Sequence, residues 1–184
     1  MRQVSRCSRV QANERHHTAS AAAVVAGVLL LGGCGSEASG NPVAPAVPDA
    51  SGVNMCTILT DAELRVMGVE PDSRKPMDLL GIIGCGWLGK PFTLSLGRDE
   101  ETVAEYVARR EDPTFTSFRE NTVNGRAGVQ LSVLSDRTDC VQMVDGGSMS
   151  LRVAVSPAFS LEPRPLDSCT EALRIAEMIE PRLP

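Results

Sequence analysis

The stretch CVQMVDGGSMSLRVAV, residues 140–155, reads as two apolar runs joined by Asp145-Gly146-Gly147. Glycines flanked by β-branched runs on both sides are the chemistry of a tight hairpin turn. Upstream, Asn124-Gly125 supplies the strongest short hairpin dipeptide. Val129, Leu131 and Val133 alternate with Gln130 and Ser132, and Phe92, Leu94 and Leu96 alternate with Thr93 and Ser95. A period of two predicts strands with one buried face. Successive hairpins make the sheet mostly antiparallel.

Three helices are expected around that sheet. Thr60-Asp61-Ala62-Glu63 has the spacing of a capping box and opens a short helix through Ala62, Leu64, Val66 and Met67 that stops at Gly68. Asp99 is the expected cap of a second helix over residues 100–110, with Val103, Tyr106 and Val107 on one face and Glu105 spaced to pair with Arg109; Pro113 ends it. Ser168-Cys169-Thr170-Glu171 is expected to cap the last helix, whose face of Ala172, Leu173, Ile175, Ala176 and Ile179 must pack on the sheet before Pro181. Helices and hairpins in this order give an α+β domain over residues 54–184, with a single mostly antiparallel sheet.

The chain ahead of that domain reads differently. Residues 1–33 carry Arg2, Arg6, Arg9 and Arg15, then an uncharged run from Ala19 to Leu31 that is too short to span a bilayer. Leu31-Gly32-Gly33-Cys34 resembles the bacterial lipobox, which implies a lipoprotein signal peptide over residues 1–33 and diacylglycerol on the Cys34 thiol. Residues 34–53 are then expected to be the lipidated cysteine and a flexible tether of small, polar and proline residues, with no face to bury. The expected address is the outer face of the cell membrane.

Cysteine usage agrees with export. Cys7 lies in the leader and Cys34 is the lipid site, which leaves Cys56, Cys85, Cys140 and Cys169. Four cysteines in an oxidising compartment read as two disulfides with three connectivities open; equal separations of 29 residues favour Cys56 with Cys85 and Cys140 with Cys169. Closing a loop of that length is worth about 3–4 kcal/mol in the chain-entropy model. Zinc is not expected, because no C-x-x-C pair is present.

Composition excludes several function classes. Taking the four leader arginines and Glu14 from the chain's 18 Lys/Arg and 23 Asp/Glu leaves 14 against 22, a charge near −8, with no basic cluster for nucleic acid. Both histidines, His16 and His17, lie in the leader, so the mature chain lacks the usual base for a Ser or Cys nucleophile. Carboxylate pairs, Lys90 or Tyr106 remain as catalytic chemistry. Residues 84–89, GCGWLG, match the dinucleotide-binding pattern, but Lys90-Pro91-Phe92 leads into a strand rather than a helix, so a glycine-rich turn is expected. Asp136 and Asp139 lack the D-x-D-x-D-G loop of a calcium site and are expected to be solvated turn carboxylates. Trp87 is expected to pack beside a disulfide, and Tyr106 to sit in the core. No catalytic residue, metal or cofactor is assigned.

The motifs CTILTDAEL (56–64), CGW (85–87), Cys140 opening a hairpin, Cys169 followed by Glu171-Ala172-Leu173, and the closing Leu183-Pro184 together resemble an uncharacterised set of short actinobacterial lipoproteins, domain of unknown function 3558. The resemblance implies an envelope location and a sheet-and-helix arrangement similar to the PsbP-like fold, and it supplies no activity. The expected function is therefore a lipid-anchored envelope protein that binds an envelope protein or small ligand, or serves as an accessory subunit; the alternative is a carboxylate-dependent envelope hydrolase.

Overall fold

The computed structural model describes residues 46–133, 139–158 and 166–184. These residues form strands β1 (Lys75–Leu79), β2 (Ile82–Trp87), β3 (Phe92–Asp99), β4 (Phe115–Val123), β5 (Arg126–Val133), β6 (Cys140–Asp145) and β7 (Ser150–Pro157). They also form helices α1 (Asp61–Val66), α2 (Val103–Ala108) and α3 (Ser168–Ile179). All seven strands share one sheet in the order β1-β2-β3-β7-β6-β5-β4, and every neighbouring pair is antiparallel. Two meanders build it. The first, β1 to β3, ends mid-sheet; α2 carries the chain to the far edge, and β4 to β7 walk back until β7 pairs with β3.

Helix α3 covers one face, where Ala172, Ile175, Ala176 and Ile179 join Leu94, Leu96, Leu151, Val153 and Val155 in the larger apolar cluster. Helix α2 covers part of the other, where Val103 and Tyr106 cluster with Val129, Leu131, Val141 and Met143. Strand β5 is buried on both sides, which corrects the single buried face expected from its alternation. Gln130 and Ser132 are buried rather than in water, and Gln130 lies against the start of α3. Gln130 is tolerated because a ladder of amides satisfies it: the Gln130 amide donates to the Cys169 carbonyl at 2.8 Å, and Gln142 and Asn121 exchange bonds of 2.8 and 2.9 Å. Gly128 makes the room, since a Cβ there would come within 2.9 Å of both side chains. A one-residue slip of β4 or β5 would strand these amides in the apolar layer, so the ladder fixes the register.

Helix starts follow from capping. Thr60 caps α1 with the reciprocal Glu63 bond, as its spacing predicts. The second helix is shorter than expected. Thr102 caps α2 through a box with Glu105, because Asp99 is still in β3, paired with Ser150 and engaged by Tyr106. Glu105 is thereby spent on the cap, and Arg109 pairs with Glu101 and Asp112 instead of Glu105. Asp167, one residue ahead of the expected box, caps α3 by accepting from the backbone of Cys169 and Thr170. Residues 84–87 of the expected glycine-rich turn are strand β2. Gly84 is there because β3 approaches closely: a Cβ at this position would lie 2.0 Å from the Leu96 carbonyl oxygen.

Candidate functional site

Strands β1 and β2 are joined by the two-residue turn Leu80-Gly81, closed by the pairing of Leu79 with Ile82. Both turn residues have positive φ, 52° and 81°. That is the primed hairpin geometry, which matches strand twist and normally recruits Asn or Gly at its first position. Leucine there costs about 1–2 kcal/mol relative to residues at ease in left-handed backbone. Its side chain recovers little in return: Leu80 is 91% exposed, Leu79 67% and Ile83 45%. Three large apolar side chains therefore stand in solvent on one hairpin. Glu100 lies against Gly81, its carboxylate 3.4 Å from where a Cβ would stand, and Asp78 is exposed on β1. Pro76 and Lys75 on the same edge strand discourage pairing with another chain's strand.

Register places this tip at a defined end of the sheet. Leu79 pairs with Ile82, Ile82 with Asp99, Asp99 with Ser150 and Ser150 with Asp145. The β6–β7 turn is therefore at the same end, and the chain from upstream joins the fold there. The Ala50 N–H donates to the Gly146 carbonyl at 2.8 Å and Ala50 is fully buried, so the packed region begins before residue 54. Asp49 accepts from the Ser148 hydroxyl at 3.0 Å. The Ser51 N–H, with the Ser148 and Ser51 hydroxyls, holds its carboxyl below the ordinary range.

A groove of about 510 Å³ opens at this end between α2, β5 and the β6–β7 turn, lined by Thr102, Val107, Glu120, Ala127 and Asp145 among others. Two carboxylates reach it. Glu120 stands 3.7 Å from Arg110, and Asp145 accepts from the Gly147 N–H at 3.0 Å, so each already has a partner within the protein. Behind the groove the buried Tyr106 hydroxyl donates to the buried Asp99 at 2.9 Å. Burial, and then the Asp99 charge, push the Tyr106 phenol well above its ordinary range. A phenol so held stays protonated as a donor, which makes it a brace for α2 and a poor base. Arg109 stacks over Tyr106 and Phe115, 4.6 and 5.1 Å from the ring centroids.

The cysteines fall as their spacing favours. Cys56 is bonded to Cys85 and Cys140 to Cys169. The first pair ties the segment before α1 to β2, and the second ties β6 to the first turn of α3. Trp87 is buried in the same cluster as Cys85, with Arg74 5.8 Å from its ring and no hydrogen-bond partner on Nε1. Cys34, the expected lipid site, and Asp136 lie outside the described residues. Asp139 is half-buried directly before β6. Among the described residues no group of three or more His, Cys, Asp or Glu converges as a metal site, and no helix is long and apolar enough to cross a membrane. Sequence reasoning did not place the β1–β2 turn at Leu80-Gly81, where only Gly81 carries turn chemistry.

Fold and site together define a small α+β domain with a seven-stranded antiparallel sheet, two disulfides and one apolar hairpin tip. The chain belongs to the family of proteins of unknown function DUF3558, whose model matches residues 29–182. No curated protein and no solved structure matches it.

Proposed function

We propose that this chain is a lipoprotein of the cell envelope, exported by a signal peptide over residues 1–33, held to the outer face of the membrane by lipid on Cys34, and acting by binding or as an accessory subunit. The two disulfides support an oxidising compartment. A PsbP-like arrangement is the finer form of the fold we favour, supported by a single antiparallel sheet packed by helices. The observation that carries the binding function is the β1–β2 tip, where Leu79, Leu80 and Ile83 are left in solvent on a turn that leucine strains. Exposed apolar side chains at a hairpin tip with a charged rim mark an interaction site more often than a catalytic one.

Photo-cross-linking in cells tests this. A photoreactive side chain at position 80 should give a discrete adduct that the same group at the exposed Glu177 position does not. Equal or absent adducts from both positions would remove the hairpin as the binding element. A second reading, a carboxylate-dependent hydrolase, is supported by Glu120 and Asp145 in the groove. It requires a hydrolytic activity that Glu120→Gln and Asp145→Asn each abolish.

A further inference from the structure

We propose that the β1–β2 tip is a second membrane contact, in which Leu79 and Leu80 enter the outer leaflet of the bilayer that carries Cys34 and hold this end of the sheet against it. The inference rests on the lipid-anchoring reading above. Its first support is where the chain outside the described region ends. Residue 46 is twelve residues from Cys34, which caps the reach of the connection at about 40 Å. The chain meets the fold at the β6–β7 turn, three strand spacings or about 14 Å from the apolar hairpin and at the same end of the sheet. An eight-residue strand is about 27 Å long. Bringing the opposite end of the sheet to the bilayer would take up about two thirds of that reach, whereas the hairpin end reaches it with slack chain. Anchor and tip act on one end.

The second support is the turn itself. An exposed leucine at φ 52° gains nothing for the fold, and strain kept at an exposed position points to use elsewhere. Moving one leucine side chain from water into hydrocarbon corresponds to roughly ten- to a hundredfold in partitioning. The rim sets the depth and narrows the occupant. Asp78 and Glu100 flank the tip, and a carboxylate stays at the hydrated headgroup level rather than entering hydrocarbon. Two copies meeting tip to tip would oppose those same charges, which disfavours self-association. Carboxylates at headgroup depth also make a zwitterionic surface a better host than an anionic one.

The test uses mature chain purified from the membranes of expressing cells and placed in phosphatidylcholine vesicles containing lipids brominated in the upper acyl chain. Leu79→Trp is the reporter, with Glu177→Trp as the solvent control; native Trp87 is buried and forms a constant background. Leu79→Trp should be quenched at least twofold more than Glu177→Trp, and replacing a third of the lipid with phosphatidylglycerol at low salt should reduce the difference. Equal quenching at the two positions on acylated protein would overturn the membrane contact and leave lipid anchoring intact. Absence of an acyl mass on Cys34 in the same sample would overturn the anchoring reading itself. A protein adduct, rather than a lipid adduct, from the position-80 cross-linker would also overturn the membrane contact.

Discussion

At Asn124-Gly125 and at Leu80-Gly81 the backbone makes nearly the same turn, with φ of 49° and 91° at the first and 52° and 81° at the second. The chemistry placed on it is opposite. Asn is the non-glycine residue most at ease in left-handed backbone. Asn124 also donates its amide to the Glu177 carbonyl at 3.0 Å, tying the β4–β5 hairpin to the end of α3. Leu80 strains the same geometry and stays 91% exposed. One turn is built for folding, and the other keeps an apolar side chain in water at the expense of folding. Where two equal backbones carry unequal chemistry, the costly one is the better guide to function.

The scaffold beneath the two hairpins should also differ, and removing a staple gives the largest effect. Cys85 lies three residues from Ile82, so the Cys56–Cys85 bond holds the strand that presents Leu80. Cys56→Ser with Cys85→Ser should cost about 3–4 kcal/mol in urea unfolding. Amide exchange should rise first in β1 and β2 while β4 and β5 keep their protection. Simultaneous loss in both hairpins would break the distinction. Next in size, Asn124→Leu should destabilise by about 2 kcal/mol, combining left-handed strain with the lost bond to α3. The reciprocal change, Leu80→Asn, should raise stability by about 1 kcal/mol. A loss in urea unfolding for that variant would mean that Leu80 supports the fold after all.

The smallest effect concerns the latch that closes the α3 end onto α1. Arg182 bonds the Ile58 carbonyl and the Glu63 carboxylate. That bond first, then the Thr60 N–H and hydroxyl, lower the Glu63 carboxyl from 4.5 to about 2. A folded value below the unfolded one means that the contribution is fully present above pH 4.5 and is lost as pH falls from there through about 2. Unfolding free energy should therefore fall more steeply between pH 4.5 and 2 in the native chain than in Arg182→Gln. Parallel profiles would remove the latch. Because the pair is partly exposed, salt should weaken it.

Local signals written in short spacing were legible in the sequence. The Thr60–Glu63 box, the Asn124-Gly125 and Asp145-Gly147 turns and the cysteine pairs each depend on a few adjacent or equally spaced residues. What failed was settled by tertiary contact. Asp99 and Thr102 both carry capping chemistry, and only the pairing of Asp99 with Ser150 and its bond to Tyr106 assign the cap to Thr102. Gln130 and Ser132 look solvent-facing in the alternation, yet both are buried, and Gln130 is bonded to the start of α3. Gly84 and Gly86 suggest a turn, although close approach of β3 at Gly84 is what demands glycine. Of the candidate site, neither Leu79, Leu80 and Ile83 nor their exposure was singled out by any spacing in the sequence. The β1–β2 turn was hidden because its first residue is Leu rather than Asn, and that same departure singles it out once the backbone is known.

Address is the claim on which binding at a membrane-facing end depends, and acylation reports it directly. Cells fed a tagged fatty acid should label the native chain, and Cys34→Ala should be unlabelled and accumulate as a slower-migrating precursor. Label retained by Cys34→Ala, or an unlabelled native chain with Met1 in place, would contradict the account.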